Sequence, residues 1–87
     1  MAYNYSSEKA ELFTDGGQRM FIKIRDQVLR LLGIAGAVRM QEAISNIGGD
    51  SWQMLACVDR MVELGELREL TNSDVVGQYR VFVKGVS

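Results

Sequence analysis

The chain has 87 residues, with ten Lys and Arg against eleven Asp and Glu, one Cys and no His. A chain of this length makes one domain and buries only roughly 60 to 65% of the surface that its unfolded form exposes. The single Cys57 excludes an intramolecular disulfide, and without His the usual Cys/His zinc sites cannot form. The sequence therefore predicts no metal site and no cofactor.

Neither a secretory signal nor a membrane span is expected. The first fifteen residues carry Glu8, Lys9 and Glu11 and no apolar run, and nowhere do eighteen apolar residues follow one another. We expect a soluble, cytoplasmic protein with no membrane partner.

The charges divide unevenly along the chain. Residues 18–40 hold five basic residues against one acidic, a local charge of +4. Residues 50–77 hold six acidic residues against two basic, a local charge of −4. The net charge of −1 thus conceals a basic first half, which bears on any nucleic-acid function.

Residues 1–17 are predicted to form an N-terminal arm, and residues 18–87 the main domain. Ser6 or Ser7 is expected to cap a helical turn through Phe13, which Gly16-Gly17 then ends. Tyr3, Tyr5, Leu12 and Phe13 make the arm more apolar than a typical disordered tail. Whether the arm docks on the domain stays open.

Residues 18–32 have the periodicity of a helix that ends at Gly33. Its core stripe consists of Phe21, Ile24, Val28, Leu31 and Leu32. Ile22 and Leu29 lie about 100° or more from the centre of that stripe, so they need a second partner. The N-terminal arm is the favoured partner, and a homodimer interface is the alternative.

The rest of the chain predicts a short edge strand, two helices and a β-hairpin. The strand covers 36–39, the helices cover 40–47 and 51–64, and the hairpin strands cover 67–71 and 78–84. Asp50 is expected to cap the second of these helices, and Gly65 is expected to end it with a positive φ. Asn72, Ser73, Asp74 and Gly77 form the hairpin turn.

Together these elements resemble the winged helix-turn-helix superfamily. The resemblance covers residues 18–84 and rests on Gln41-Glu42-Ala43-Ile44, on the turn Gly48-Gly49-Asp50-Ser51, and on the run from Val58 to Leu67. It implies a small α+β domain with a three-helix core and a wing formed by the hairpin. It also implies a DNA-binding transcriptional regulator whose second motif helix enters the major groove of duplex DNA.

Carried onto this chain, the recognition face of that helix would expose Ser51, Trp52, Gln53, Ala56, Asp59, Arg60 and Glu63. Gln53 suits adenine, Arg60 suits guanine, and Ala56 lets the helix approach a thymine methyl. Arg19, Arg39 and Arg80 are candidate phosphate contacts. Asp59 and Glu63 oppose a phosphate backbone, and the predicted wing tip offers no cation.

A second reading makes this face a protein-docking surface, with Trp52 as an aromatic anchor and the two carboxylates as partners of a basic protein. Trp52 could equally pack on sugar or fold under the arm. A continuous positive rim would favour DNA, whereas an unbroken negative patch would favour protein.

No catalytic residue is predicted. Cys57 borders the core stripe of its helix and lacks a His base, and the carboxylates are dispersed over exposed faces. Gly16-Gly17-Gln18 resembles the tripeptide of class I peptide release factors, but nothing around it matches that family. We expect a binding domain and no enzyme.

Overall fold

The structure is a computed structural model that describes residues 3–70 and 80–85. Its four helices are α1 (Tyr5–Glu8), α2 (Asp15–Ala35), α3 (Met40–Ala43) and α4 (Ser51–Glu63), with a 3-10 turn at Lys9–Phe13 between the first two. Its three strands are β1 (Ala37–Arg39), β2 (Leu67–Leu70) and β3 (Val81–Lys84). The predicted α+β class is confirmed. The predicted hairpin turn at 72–77 and the start of its second strand lie outside the described residues.

The three strands form one antiparallel sheet in the order β1-β3-β2. Val38 of β1 lies opposite Phe82 of β3, and Glu69 of β2 lies opposite the same Phe82. Phe82 is fully buried because it occupies the middle strand and its side chain points to the helices. The sheet thereby forms one side of a single small core.

The largest departure from the predicted elements is at the start of α2. Gly16-Gly17 does not end the arm; the two glycines lie in the first turn of α2, which Thr14 caps by accepting a hydrogen bond from the Gly17 N–H at 3.0 Å. A Cβ at Gly17 would overlap the backbone of Glu11 and Leu12. Gly17 is thus required by close packing of the arm, a reason that local pattern does not reveal.

The other end of α2 also differs from the prediction. The helix continues through Gly33 and ends at Gly36, whose φ is +77° and whose N–H donates to the Leu32 carbonyl at 2.8 Å. The next residues begin β1, so Gly36 supplies the left-handed turn that Gly33 was expected to supply. The predicted core stripe is confirmed: Ile24 and Val28 are fully buried, and Phe21, Leu31 and Leu32 pack against the core.

α3 is shorter than predicted, since the helix ends at Ala43 and a turn follows. The Gln27 side chain donates to the carbonyls of Glu42, Ala43 and Ser45 at 2.8 to 3.0 Å, which holds that end of α3 against α2. Asp50 caps α4 as predicted, accepting from the N–H groups of Trp52 and Gln53. Gly65 follows α4 with a φ of +82°, also as predicted.

Among the described residues, no helix is both long and apolar enough to cross a membrane.

Candidate functional site

The N-terminal arm docks on α4. Since α2 begins at Asp15, the arm hereafter means residues 3–14. Leu12 is 1% exposed and belongs to the core, which anchors the arm. The Tyr3 hydroxyl donates to Asp59 at 2.6 Å and the Tyr5 hydroxyl donates to Glu63 at 2.9 Å. The arm therefore lies across the face of α4 that the resemblance assigns to DNA.

Asp59 belongs to a half-buried charge cluster. The Arg80 guanidinium bridges Asp59 and Glu69, with Nη2 at 2.7 Å from a carboxylate oxygen of each. The side chains of Arg80 and Asp59 are only 17% and 14% exposed. The two carboxylates hold the pKa of Arg80 above its ordinary value, with the hydrogen bonds to Glu69 as the largest cause. Because buried charges need partners, this cluster is structural.

The Glu63 carboxylate accepts hydrogen bonds from three side chains, two of which are cations. Its carboxylate accepts from Lys9 Nζ at 2.8 Å, from Arg60 Nη1 at 2.5 Å and from the Tyr5 hydroxyl. These hydrogen bonds, that of Lys9 first, lower the pKa of Glu63 to about 2. Arg60 is held further by Phe13, whose ring centroid lies 5.3 Å from the guanidinium carbon. The arm thus occupies both Arg60 and Glu63.

Three of the predicted DNA contacts have surroundings in the structure that the sequence did not predict. Ala56 is fully buried, so it is not exposed to meet a thymine methyl as predicted. It precedes Asp59 by three residues and Glu63 by seven, and therefore lies on the side of α4 that the arm contacts. Arg80 was expected to contact phosphate, but its guanidinium is engaged by Asp59 and Glu69. Arg60 was expected to read guanine, but it is held between Glu63 and Phe13.

The first turn of α4 has a different environment. Ser51 is exposed, and Trp52 and Gln53 are half-buried. Arg19 and Arg39 are exposed, and neither forms an ion pair with another described residue. The turn at Gly49 leaves so little room beside Met20 that a Cβ would overlap its Cε atom, so the beginning of α2 lies close to this end of α4.

The favoured partner for Ile22 and Leu29 was the arm, and that prediction is wrong. The arm packs on α4 and on the beginning of α2, and it leaves Ile22 56% and Leu29 40% exposed. The arm does dock on the domain, but on a different surface from the one that carries Ile22 and Leu29. The alternative partner, a second copy of the chain, stays open.

Neither candidate for covalent chemistry lies at an open site. Cys57 is fully buried, and burial raises the pKa of its thiol to about 12. Gly17 is buried, and the Gln18 amide donates to the Leu12 carbonyl at 2.5 Å. The Gly-Gly-Gln tripeptide thus holds the arm against the helix start.

Sequence reasoning missed Tyr3, Tyr5 and Lys9 as partners of α4. The available signal was the apolar content of the arm, which indicated docking but gave no register against α4. No protein-family model, no curated protein and no solved structure matches the chain.

Proposed function

We propose that this chain is a small winged-helix domain that binds duplex DNA in the cytoplasm, as a transcriptional regulator does. The order of its elements supports the winged-helix assignment: a long helix, a strand, a short helix, a glycine turn, a second helix and two antiparallel strands that pair beside the first. Residues 44–50, which include Gly48-Gly49, separate α3 from α4 and take the place of the turn in the helix-turn-helix interpretation.

The observations that carry the DNA proposal are the partly exposed first turn of α4 and two exposed arginines, Arg19 and Arg39, that form no ion pair with another described residue. In the helix-turn-helix mode, the N-terminal side chains of the second helix meet base edges, and cations around them meet phosphates. Ser51, Trp52 and Gln53 take the first role, with Gln53 suited to adenine. Arg19 and Arg39 take the second role.

The acidic residues of α4 bear less on this proposal than their number indicates. Asp59 pairs with Arg80, and Glu63 pairs with Lys9 and Arg60, so both carboxylates are neutralised within the chain. A phosphate backbone near the first turn of α4 meets little net negative charge from this face. The contact set is correspondingly small, and affinity should depend on few cations.

Titration of a labelled random-sequence duplex at about 50 and 200 mM salt tests the proposal. If the two arginines neutralise two phosphates, the affinity should fall about tenfold between these salt concentrations. Arg19→Ala and Arg39→Ala should each reduce the salt slope by about 1. Arg68→Ala removes an exposed cation from β2 and serves as the matched control, which should keep the parent slope. Failure to bind duplex at 50 mM salt contradicts the proposal.

Sequence reading has its own test. After a preferred duplex has been selected from a random pool, Gln53→Ala should weaken binding to that duplex by about 1 to 3 kcal/mol. Binding to unselected duplex should stay unchanged. Equal loss on both duplexes would remove Gln53 from base recognition.

Protein recognition is the second candidate, and the docked arm favours it. Tyr3, Tyr5 and Lys9 already form a short peptide ligand on Asp59 and Glu63, which demonstrates that this face accommodates a chain segment. On this reading, a partner with tyrosines and a lysine at similar spacing would compete with the arm. Duplex binding whose salt slope falls with Arg39→Ala and that persists after deletion of residues 1–9 would favour DNA over this candidate.

A further inference from the structure

One surface of α2 has no function in the DNA proposal. Gln18, Ile22, Arg25, Leu29 and Gly33 lie within about 80° of one another around the helix axis. We call these five residues the α2 strip. Its two large apolar side chains, Ile22 and Leu29, are 56% and 40% exposed, which is costly for a surface that only meets water.

The α2 strip has a hollow near each of its ends, and the two hollows differ in size. The smaller, about 270 Å³, is lined by Phe13, Gln18, Phe21 and Leu64, and at its rim Phe13 is 57% and Leu64 46% exposed. The larger, about 540 Å³, is lined by Leu29, Leu32, Gly33, Gly65 and Lys84. Exposed apolar side chains therefore protrude near the Gln18 end of the strip, and the larger hollow, which Leu29 and Leu32 help to line, lies near the Gly33 end.

This arrangement is complementary to itself. Ile22 and Leu29 are seven residues apart, roughly 10.5 Å along the helix, with Arg25 between them. A two-fold axis perpendicular to α2 beside Arg25 brings Ile22 of one copy against Leu29 of the other. It also brings the protruding end of each strip, with Phe13, towards the larger hollow of its partner. A two-fold interface requires this kind of self-matching surface.

The charges at the centre match in the same way. Arg25 contacts Glu66 through Nη2 at 2.6 Å and through Nε at 2.8 Å, and their side chains are 40% and 26% exposed. Two such pairs, related by the axis, place each guanidinium near the carboxylate of the other copy. The centre then contains two positive and two negative charges, so neither sign is left in excess.

The remaining cations of α2 do not obstruct this contact. Arg19, Lys23 and Arg30 lie roughly 80° to 120° around the helix axis from the centre of the strip. They stay at the periphery of the interface, where like charges are hydrated and screened.

We propose that the α2 strip is the interface of a homodimer, in which two α2 helices pack antiparallel around a two-fold axis beside Arg25 and Glu66. The occupant is a second copy, because the strip supplies both the protrusion and the matching hollow together with a balanced pair of charges. The proposal is independent of DNA binding, which uses the first turn of α4.

Sedimentation equilibrium of the full chain tests the proposal. The parent should dimerise with a dissociation constant below about 100 µM. Ile22→Glu and Leu29→Lys should each weaken self-association at least about tenfold, because each buries a charge against its own copy. Ile34→Glu is the matched control: Ile34 is 74% exposed on α2, outside the strip, and its replacement should leave the dimer unchanged.

The antiparallel geometry has a sharper test in a mixture. When the Ile22→Glu and Leu29→Lys chains are combined, the introduced carboxylate faces the introduced ammonium across the axis, and a heterodimer should form with roughly parental affinity. Thermal melts of both variants confirm that they are folded. A parent that stays monomeric at about 1 mM overturns the proposal, as do two variants that dimerise like the parent. A mixture without heterodimer overturns the antiparallel arrangement.

Discussion

The two halves of the exposed side of α4 differ in what covers them. The second half, with Asp59, Arg60 and Glu63, is held under the N-terminal arm by hydrogen bonds and ion pairs. Among the described residues, no hydrogen bond or ion pair joins the arm to Ser51 or Gln53 in the first turn. In both halves, polar side chains recur at helical spacing on the side of α4 away from its predicted core stripe. Periodicity therefore indicates which side chains lie outside the main core, but not which of them another segment covers.

The change expected to have the largest effect on the covering of α4 by the arm is the removal of Leu12, which anchors the arm. Leu12→Ala removes a side chain that is 1% exposed and leaves a cavity under the arm, so the free energy of unfolding should fall by about 2 to 5 kcal/mol. Phe13→Ala is the matched control, because the neighbouring side chain is 57% exposed. Its cost should stay below about 1 kcal/mol, including the contact with Arg60. Urea unfolding of both variants measures the difference, and equal costs would contradict a docked arm.

A smaller change acts where the arm meets α2. Gly17→Ala places a Cβ against the backbone of Glu11 and Leu12 and should cost about 1 to 3 kcal/mol. Gly16→Ala is the matched control, since a Cβ at Gly16 meets only the far end of Arg19 at 3.9 Å. This control should be neutral or should stabilise the chain by up to about 1 kcal/mol through helix propensity. A Gly17→Ala variant that is as stable as the parent would contradict the close approach of the arm backbone to the start of α2.

The smallest expected effect concerns Glu63, which the arm contacts, and it is measured as the change in thermal stability at low pH. The pKa of Glu63 is lowered from 4.5 to about 2, so the folded chain binds fewer protons there than the unfolded chain. The stabilisation is present above pH 4.5 and is lost as the pH falls towards 2. Glu63→Gln removes this titration, and its melting temperature should fall less than that of the parent over this range.

Tyr5→Phe removes one of the donors to Glu63 and should give an acid dependence between those of the parent and Glu63→Gln. Parallel melting curves for all three chains between pH 5 and pH 2 would show that the contacts of Glu63 do not contribute to stability.

Much of the fold follows from local signals in the sequence. The α2 core stripe, the Asp50 cap and the positive φ of Gly65 were all predicted, because periodicity, capping and left-handed turns depend on a few neighbouring residues. The end of α2 at Gly36 was missed because two glycines three residues apart are equivalent locally. The start of β1, fixed by its pairing with β3, decides between them.

The candidate site was less predictable, because its contacts join residues that are far apart in the sequence. Nothing local distinguishes Ala56, which is fully buried on the side of α4 that the arm contacts, from an exposed alanine on a recognition face. Asp59 and Arg80 are twenty-one positions apart in the sequence, and their ion pair depends on the fold that brings the residue before β3 to α4. A substitution such as Asp59→Asn is therefore not a simple surface change, because it would leave a half-buried guanidinium with one carboxylate partner.

The order of the sheet has a consequence for biosynthesis. β1 and β2 both pair with β3, although β3 is the last of the three strands to be translated. A nascent chain that has emerged from the ribosome only as far as β2 contains α1 to α4 but lacks the middle strand of the sheet and the buried side chain of Phe82. The core should close only after release of β3 from the exit tunnel, which makes folding of this domain late and abrupt rather than progressive.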